Sequence, residues 1–386
     1  MAELERPFPP GRYPVVVVGS GPGGLQTSYC LNRLGIDHAV ISADEKPGGM
    51  FQKFPLFQRL ISWSKLHAPA PHKSRAYEWY DWNSLLSEED ENRQLILDYM
   101  DGTSYFPSRM EMEQGLAAFA DKAGVKVRYG CRWETTTRSP EGFTLHTTDG
   151  DYSCDVAVIA VGTTTPWKPD NIQGLDLAPH YVEARPAKEY EDKTVFIVGK
   201  RNSGMEIADA LLPTARRIIL GSPRPARLSV LEHGWVGARA RYLQPYEDFV
   251  LGGGHVLLDV SIDGIERTSS GYKVTAMSPE SGKMTFEVDE VIAATGFTTP
   301  LQDLADIGVA TFNQGRLPAQ TTYWESTSVP GIYFAGCITQ GAVELRKYGG
   351  FSNSAAVHGF RYNARVMAEH IAEKHFGAPR PRPEVS

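Results

Sequence analysis

Four cysteines, at positions 30, 131, 154 and 337, leave this chain without a C-x-x-C pair. That spacing argues against a disulfide framework or a four-cysteine zinc site. It also removes the close dithiol through which two-nucleotide disulfide reductases relay electrons. Each thiol is expected to be a small buried apolar group. No apolar run approaches the ~20 residues that span a bilayer. Met1-Ala2-Glu3-Leu4-Glu5-Arg6 has no hydrophobic signal region, so the expected location is cytoplasmic, away from membranes. Positive charge is not in excess: a net charge of −7 and a pI near 5.8 argue against a general nucleic-acid binder. His67, His72 and His255 lack metal-ligand spacing and read as structural or solvated, so no metal is expected. A G-x-S-x-G nucleophile elbow is also missing. What remains is an ordinary soluble composition, 41% apolar and 22% charged, in 386 residues, enough for two cored domains.

Two glycine-rich turns stand out, each after a β-branched run and before a helix-like segment. The first is Val15-Val16-Val17-Val18-Gly19-Ser20-Gly21-Pro22-Gly23-Gly24, and the second is Val195-Phe196-Ile197-Val198-Gly199-Lys200-Arg201-Asn202-Ser203-Gly204. A strand, a tight turn and a helix N-terminus present free N–H groups and a positive dipole end to a pyrophosphate. In the first turn Gly19 permits the bend, Gly21 the backbone approach, and Gly23 or Gly24 the helix–strand packing. The ribose carboxylate expected ~20 residues on is displaced: Ser42 occupies that place, with Asp44 and Glu45 just beyond. Either Asp44 reaches the ribose from the loop, or Ser42 does so more weakly. In the second turn Arg201 replaces the middle glycine, and Lys200 and Arg201 favour an anionic ligand. Ser222, Arg224 and Arg227 follow the next strand, where a 2′-phosphate would be held. Two nucleotides in one chain imply electron transfer between them.

Hydrophobic patterning predicts strands at Tyr13–Val18 and His38–Ser42 with a helix at Leu25–Leu34 between them. Residues 43–105 are aromatic-rich and aperiodic, the mark of a functional loop region. A helix over Ser108–Ala123, with Met112, Leu116 and Phe119 on one face, precedes a short strand Val125–Tyr129. Strands follow at Phe143–Thr147 and Val156–Val161. Residues 194–296 repeat the pattern with a strand, a helix Ser203–Leu212, and strands Arg217–Leu220 and Glu290–Ala294. A buried strand Gly331–Ala335 and a last helix 354–375 close the chain. The stretch 228–254, with Trp235, Tyr242, Tyr246, Phe249, His233, Arg239 and Arg241, reads equally as a lid or as loop packing.

The fold class expected is α/β with two Rossmann-like dinucleotide-binding domains, one inserted into the other. The boundaries are 1–165 and 297–377 for the outer domain, 166–296 for the insert, and 378–386 for a flexible tail.

With these residues in view, the chain resembles the flavin-containing monooxygenase-like flavoproteins. Within them it is similar to the FAD-dependent oxidoreductases typified by the endoplasmic-reticulum flavoprotein associated with degradation. The resemblance runs through Gly19–Gln26, Phe54-Pro55, Leu60–Lys65, Asp81-Trp82-Asn83-Ser84-Leu85-Leu86, Tyr105-Phe106-Pro107, Ala294-Thr295-Gly296-Phe297, Gly331–Gly336 with Gln340, and His358-Gly359-Phe360-Arg361-Tyr362.

The resemblance implies FAD in the outer domain and NADPH in the insert. O2 would then form a C4a-(hydro)peroxyflavin that oxygenates a small organic substrate at nitrogen, sulfur or a carbonyl carbon. The alternatives are a flavin dehydrogenase or oxidase, and a flavin-stabilised binding protein without turnover. FAD is assigned to Gly19, Gly21, Pro22, Gly23, Gly24, Asp44, Gly49, Gly336, Gln340 and His358, and NADPH to Gly199, Asn202, Ser203, Gly204 and Arg224. Ser64, where many relatives carry asparagine, and Asn83 are the candidate catalytic residues. The family's F-x-G-x-x-x-H string is degenerate here, with Gly174 and His180 separated by five residues. The expected partners are a small-molecule substrate and O2, with a homodimer left open.

Overall fold

The computed structural model describes residues 6–379 except 58, 91–92, 225–245, 247–249, 251, 313–314, 341–353 and 355. The chain forms two compact units. One comprises Met1–Phe54, Ser62–Thr164 and Thr298–Ser386, and the other comprises Pro55–Ile61 and Thr165–Phe297. Segment 55–61, which a linear division leaves with the outer domain, belongs to the second unit. Side chains of that unit meet two of its backbone N–H groups. Leu56 N donates to Tyr181 Oη at 3.1 Å and Phe57 N to Glu206 Oε1 at 3.0 Å. Tyr181 Oη in turn donates to Glu206 Oε2 at 2.7 Å.

The first unit is built on β1 (Gly11–Val18), β2 (His38–Ile41), β3 (Trp133–Ser139), β4 (Gly142–Thr147) and β5 (Gly150–Ile159) in the order β2-β1-β5-β4-β3. β1 pairs in parallel with both β2 and β5, whereas β3, β4 and β5 form an antiparallel meander. The far half of β5 takes a further parallel strand from late in the chain, Ile332–Phe334. Val15 to Val17 are fully buried, which explains a continuous apolar run rather than an alternating one.

Helix α1 (Pro22–Arg33) packs on this sheet beside the C-terminal helix Val357–Phe376, which Gly377 ends in the left-handed region at φ +66°. Helix α2 (Arg109–Lys122) opens on a capping box, Ser108 Oγ accepting from Glu111 N and Glu111 Oε2 accepting from Ser108 N. Met112, Leu116 and Phe119 are buried along its inner face. The strand expected at Val125–Tyr129 is reduced to one bridge, Arg128 to Ile41, because the segment meets only the end of β2. The aromatic stretch 43–105 holds short 3-10 turns around a small core of Tyr77, Leu95 and Leu97.

The second unit carries a parallel sheet of β6 (Thr194–Val198), β7 (Arg217–Ser222) and β8 (Val256–Asp259), with Glu290–Ala293 on the other side of β6. Helix α3 (Asn202–Leu211) follows β6. A three-stranded antiparallel sheet, Ser261–Arg267, Tyr272–Ser278 and Gly282–Val288, adds to what the patterning predicts. Its signal is present in the sequence: Tyr272, Val274 and Ala276 are buried and alternate with outward residues. Among the described residues, no helix is long and apolar enough to cross a membrane.

Candidate functional site

Backbone lies close against the first glycine turn at Gly19, Gly23, Gly24 and Gly49. Gly19 has φ +115°, and a Cβ there would lie 2.5 Å from the Ala160 carbonyl oxygen. A Cβ at Gly23 would lie 2.5 Å from Gly336 Cα, and one at Gly24 1.9 Å from the Gly19 oxygen. Across the turn, Gly49, at φ +56°, would bring a Cβ within 2.7 Å of Gly21 Cα. Gly21 caps α1 with no side-chain hydrogen bond, and Pro22 follows at the first helical position. The uncapped N–H groups of the first helical turn and the positive end of the dipole therefore face this cradle. The donor set and the lack of side chains fit a pyrophosphate.

At the end of β2 the two alternatives for the ribose contact form one cluster. Ser20 and Ser42 hydroxyls lie 2.9 Å apart, and each donates to Asp44 Oδ2 at 3.1 Å. Ser42 is buried and Asp44 half-buried, so the carboxylate is the outward member. Gly336, at φ +77°, opens a short 3-10 turn to Thr339, and half-buried Gln340 follows it.

Ser64 and Asn83 are brought together through Asp81, a residue that the sequence motifs contain but do not single out. Asp81, 1% exposed, accepts from Ser64 Oγ, from the backbone N–H groups of Asn83 and Ser84 at 3.2 Å, and from Ser84 Oγ. Asn83 Nδ2 donates to Ser64 Oγ at 3.1 Å. Ser64 is fully buried, so its hydroxyl is committed to this network. Arg361, 2% exposed, donates to the carbonyls of Ser84 at 2.7 Å and Glu78 at 3.0 Å, tying the last helix to the same loop. Gln26 of α1 holds the loop from the other side through both Leu86 backbone groups, at 2.7 and 3.0 Å. The D-W-N-S-L-L string is the available signal for Asp81. Nothing in it reveals that the carboxylate is the hub.

Trp63, Trp82 and His358 form a stack, with ring centroids 4.3 Å apart for the tryptophans and 4.5 Å for Trp82 and His358. His358 stands in the first turn of the C-terminal helix. Burial, followed by the Arg361 guanidinium, pushes its pKa from 6.5 down to about 4. The native imidazole is thus neutral where an unfolded one protonates. Its effect on stability is nil above pH ~6.5 and destabilising as pH falls toward ~4. Urea unfolding between pH 7 and 4 should show a loss of up to about 3 kcal/mol from this residue. His358→Gln should flatten that slope. An unchanged slope would mean the imidazole is not held neutral.

The second turn repeats two backbone hydrogen bonds of the first. Gly19 N donates to Ile41 O at 2.8 Å and Ala160 N to Val18 O at 2.8 Å. The equivalents are Gly199 N to Gly221 O and Ala294 N to Val198 O, both at 2.9 Å. Gly199 has φ +125°, and a Cβ at Gly204 would lie 2.2 Å from its oxygen. Arg201 is the exposed N-cap of α3, without a side-chain cap bond, ahead of exposed Asn202 and half-buried Ser203. Arg224 is exposed just beyond β7.

Lys200 departs from expectation. Its side chain is 1% exposed, donates to Leu258 O at 2.6 Å and pairs with Asp259, so it is not a free cation of the turn. The degenerate Gly174/His180 string is structural. His180 is 1% exposed, and its Nε2 donates to Gly296 O at 3.0 Å, within the Ala294–Phe297 string. Tyr246 is buried, its hydroxyl donating to Val256 O at 3.1 Å. His255 Nδ1 accepts from Ile218 N at 3.0 Å. Arg227, His233, Trp235, Arg239, Arg241, Tyr242 and Phe249 lie outside the described residues, as does the tail from 380.

The family model described as pyridine nucleotide-disulphide oxidoreductase matches residues 16–336. The FAD-dependent oxidoreductase domain-containing protein 2 of Danio rerio is 26% identical over 413 aligned positions, covering 93% of this chain and 58% of its own. The chain thus spans about three-fifths of the length of the curated relatives it first matches. Among solved structures, a bacillithiol disulfide reductase from Staphylococcus aureus superposes with a TM-score of 0.70 at 18% identity, covering 94% of this chain and 99% of its own. A flavin-containing monooxygenase from Stenotrophomonas maltophilia gives 0.66 at 21%, covering 95% and 99%. These two likenesses concern the fold: two Rossmann-like domains in one α/β chain.

Proposed function

Because the chain belongs to the pyridine nucleotide-disulphide oxidoreductase family, whose members use FAD and NADPH, we propose that it is an NADPH-dependent flavin monooxygenase. It would oxygenate a small organic substrate at nitrogen, sulfur or a carbonyl carbon. One observation carries the choice of O2 over a disulfide as electron acceptor. All four cysteines are free, three are buried, and none is paired with another. Burial holds every thiol up, Cys30 and Cys154 to about 12, so none is a ready thiolate.

FAD supplies the chemistry of hydride acceptance and electron delivery to oxygen. In this reading the chain's own residues bind and orient. The N–H groups after Gly21 hold the pyrophosphate in the space left by Gly19, Gly23, Gly24 and Gly49. Asp44, backed by Ser20 and Ser42, accepts from ribose hydroxyls. Gly336, Gln340 and His358 line the approach to the ring, and the Trp63–Trp82–His358 stack excludes water. Ser64 and Asn83 act as positioning residues through Asp81. In the second unit, Gly199, Asn202, Ser203, Gly204 and Arg224 hold NADPH.

A second reading, electron transfer without oxygen insertion, is favoured by Ser64 itself. It stands where the resemblance places an asparagine, and its hydroxyl is already committed to Asp81. Mixing the holoprotein with NADPH, first without and then with O2, separates the two. Flavin that stays oxidised without O2 defeats both readings. Oxygen uptake matched by an oxygenated amine, thioether or ketone supports the monooxygenase. Peroxide released in full, whatever organic compound is offered, supports the second reading.

A further inference from the structure

The two turns are equivalent in register, so the residue after the first glycine can be compared directly. In the first unit it is Ser20, whose hydroxyl reaches Ser42 and Asp44 at the end of β2. In the second it is Lys200. The residue equivalent to Ser42 is Ser222, each following the last strand residue level with the end of its neighbour: Val18 pairs with Ile41, and Val198 with Gly221. Ser222 is in turn level with Asp259 on β8. Lys200 therefore spans from the turn past the end of β7 to Leu258 O and the Asp259 carboxylate. Its side chain is 1% exposed, while that of Asp259 is 54% exposed. Desolvating an ammonium costs free energy unless it is paired, and here a carbonyl and a carboxylate pair it. The outward charge at this strand end belongs to Asp259, and Lys200 cancels it from within.

In this fold the ribose of a bound nucleotide sits at the end of the second strand of the unit, where a carboxylate suits NADH and a cation suits NADPH. We propose that the Lys200–Asp259 pair sets the preference for NADPH over NADH. Asp259 alone would repel a 2′-phosphate beside Ser222. Lys200 removes that repulsion, so the pair adds no net charge to the strand end that Arg224 follows. In the first unit the equivalent residue is Ser20, which supports the Asp44 carboxylate and suits an unphosphorylated ribose.

The inference rests on reading the second unit as the NADPH site. Isothermal titration of the FAD-loaded protein with NADP+ and with NAD+ tests it without turnover. Lys200→Met should weaken NADP+ binding by about tenfold or more, with NAD+ changed by no more than about twofold. Lys200→Met/Asp259→Asn should recover most of the loss. Asp259→Asn alone, which keeps the cation, should tighten NADP+ relative to NAD+ and decides the matter if Lys200→Met does not fold. Equal effects on both nucleotides, or an unchanged ratio in Asp259→Asn, overturn the proposal while the NADPH site stands. A wild-type protein that binds neither nucleotide overturns the NADPH site and this proposal with it.

Discussion

Gly24→Ala should yield a protein that no longer retains FAD and is about 3 kcal/mol less stable than the parent. The added methyl would sit 1.9 Å from the Gly19 oxygen and 2.9 Å from its carbonyl carbon. Both are backbone atoms of the turn itself. Relief therefore requires α1 to move away from β1, which opens the cradle that would hold the pyrophosphate. Gly23→Ala should behave alike for a different reason, since its methyl meets Gly336 Cα and N at 2.5 and 2.6 Å. Gly35→Ala is the contrasting case. It has φ +68° but no atom within 4 Å of the added methyl, so it should cost only about 1 kcal/mol and keep its flavin. The measurements are the flavin-to-protein ratio after purification and the urea midpoint. Full flavin occupancy in Gly24→Ala would refute the close-packed turn.

The second large effect is expected at Asp81. Alanine there leaves two hydroxyls and two backbone N–H groups without their acceptor in a site that is almost fully buried. Unsatisfied buried donors cost about 1–3 kcal/mol each, partly relieved by rearrangement, so about 3–5 kcal/mol is expected in all. The damage should spread, because Ser84 Oγ also accepts from Ile96 N at 2.7 Å and the Ser84 carbonyl accepts from Arg361. Asp81→Asn keeps the shape but turns an amide donor toward a hydroxyl, and should fall between the two. In Asp81→Asn, flavin reduction by NADPH should slow more than NADP+ binding weakens. That split separates a positioning role from a purely structural one. Parallel losses in both would assign Asp81 to the fold alone.

Much of the architecture is legible in the sequence because its causes are local. β-branched runs that end in glycine turns specify buried parallel strands, and the helix caps at Ser108 and Gly377 are written in single residues. The three-stranded antiparallel sheet escapes a sequence reading although its alternation is plain, because the repeated strand–turn–helix pattern of 194–296 points toward a purely parallel sheet. The strand at Val125–Tyr129 fails for the opposite reason. Its composition suits a strand, but only one residue finds a bridging partner at the end of β2.

The site divides in the same way. The amino-acid order by itself determined two phosphate-type turns, their glycines and the separation of four cysteines. These follow from backbone conformation and chain spacing, which neighbours in sequence largely decide. Only the tertiary structure decided that Ser42 and Asp44 act as one cluster, that Asp81 rather than Ser64 is the hub, and that Lys200 turns inward to Asp259. It also decided that Pro55–Ile61 belongs to the second unit, held by Tyr181 and Glu206. Each of these depends on a buried polar group finding its partner from a distant part of the chain. The cost of leaving such a group unpaired selects that partner, and sequence proximity does not.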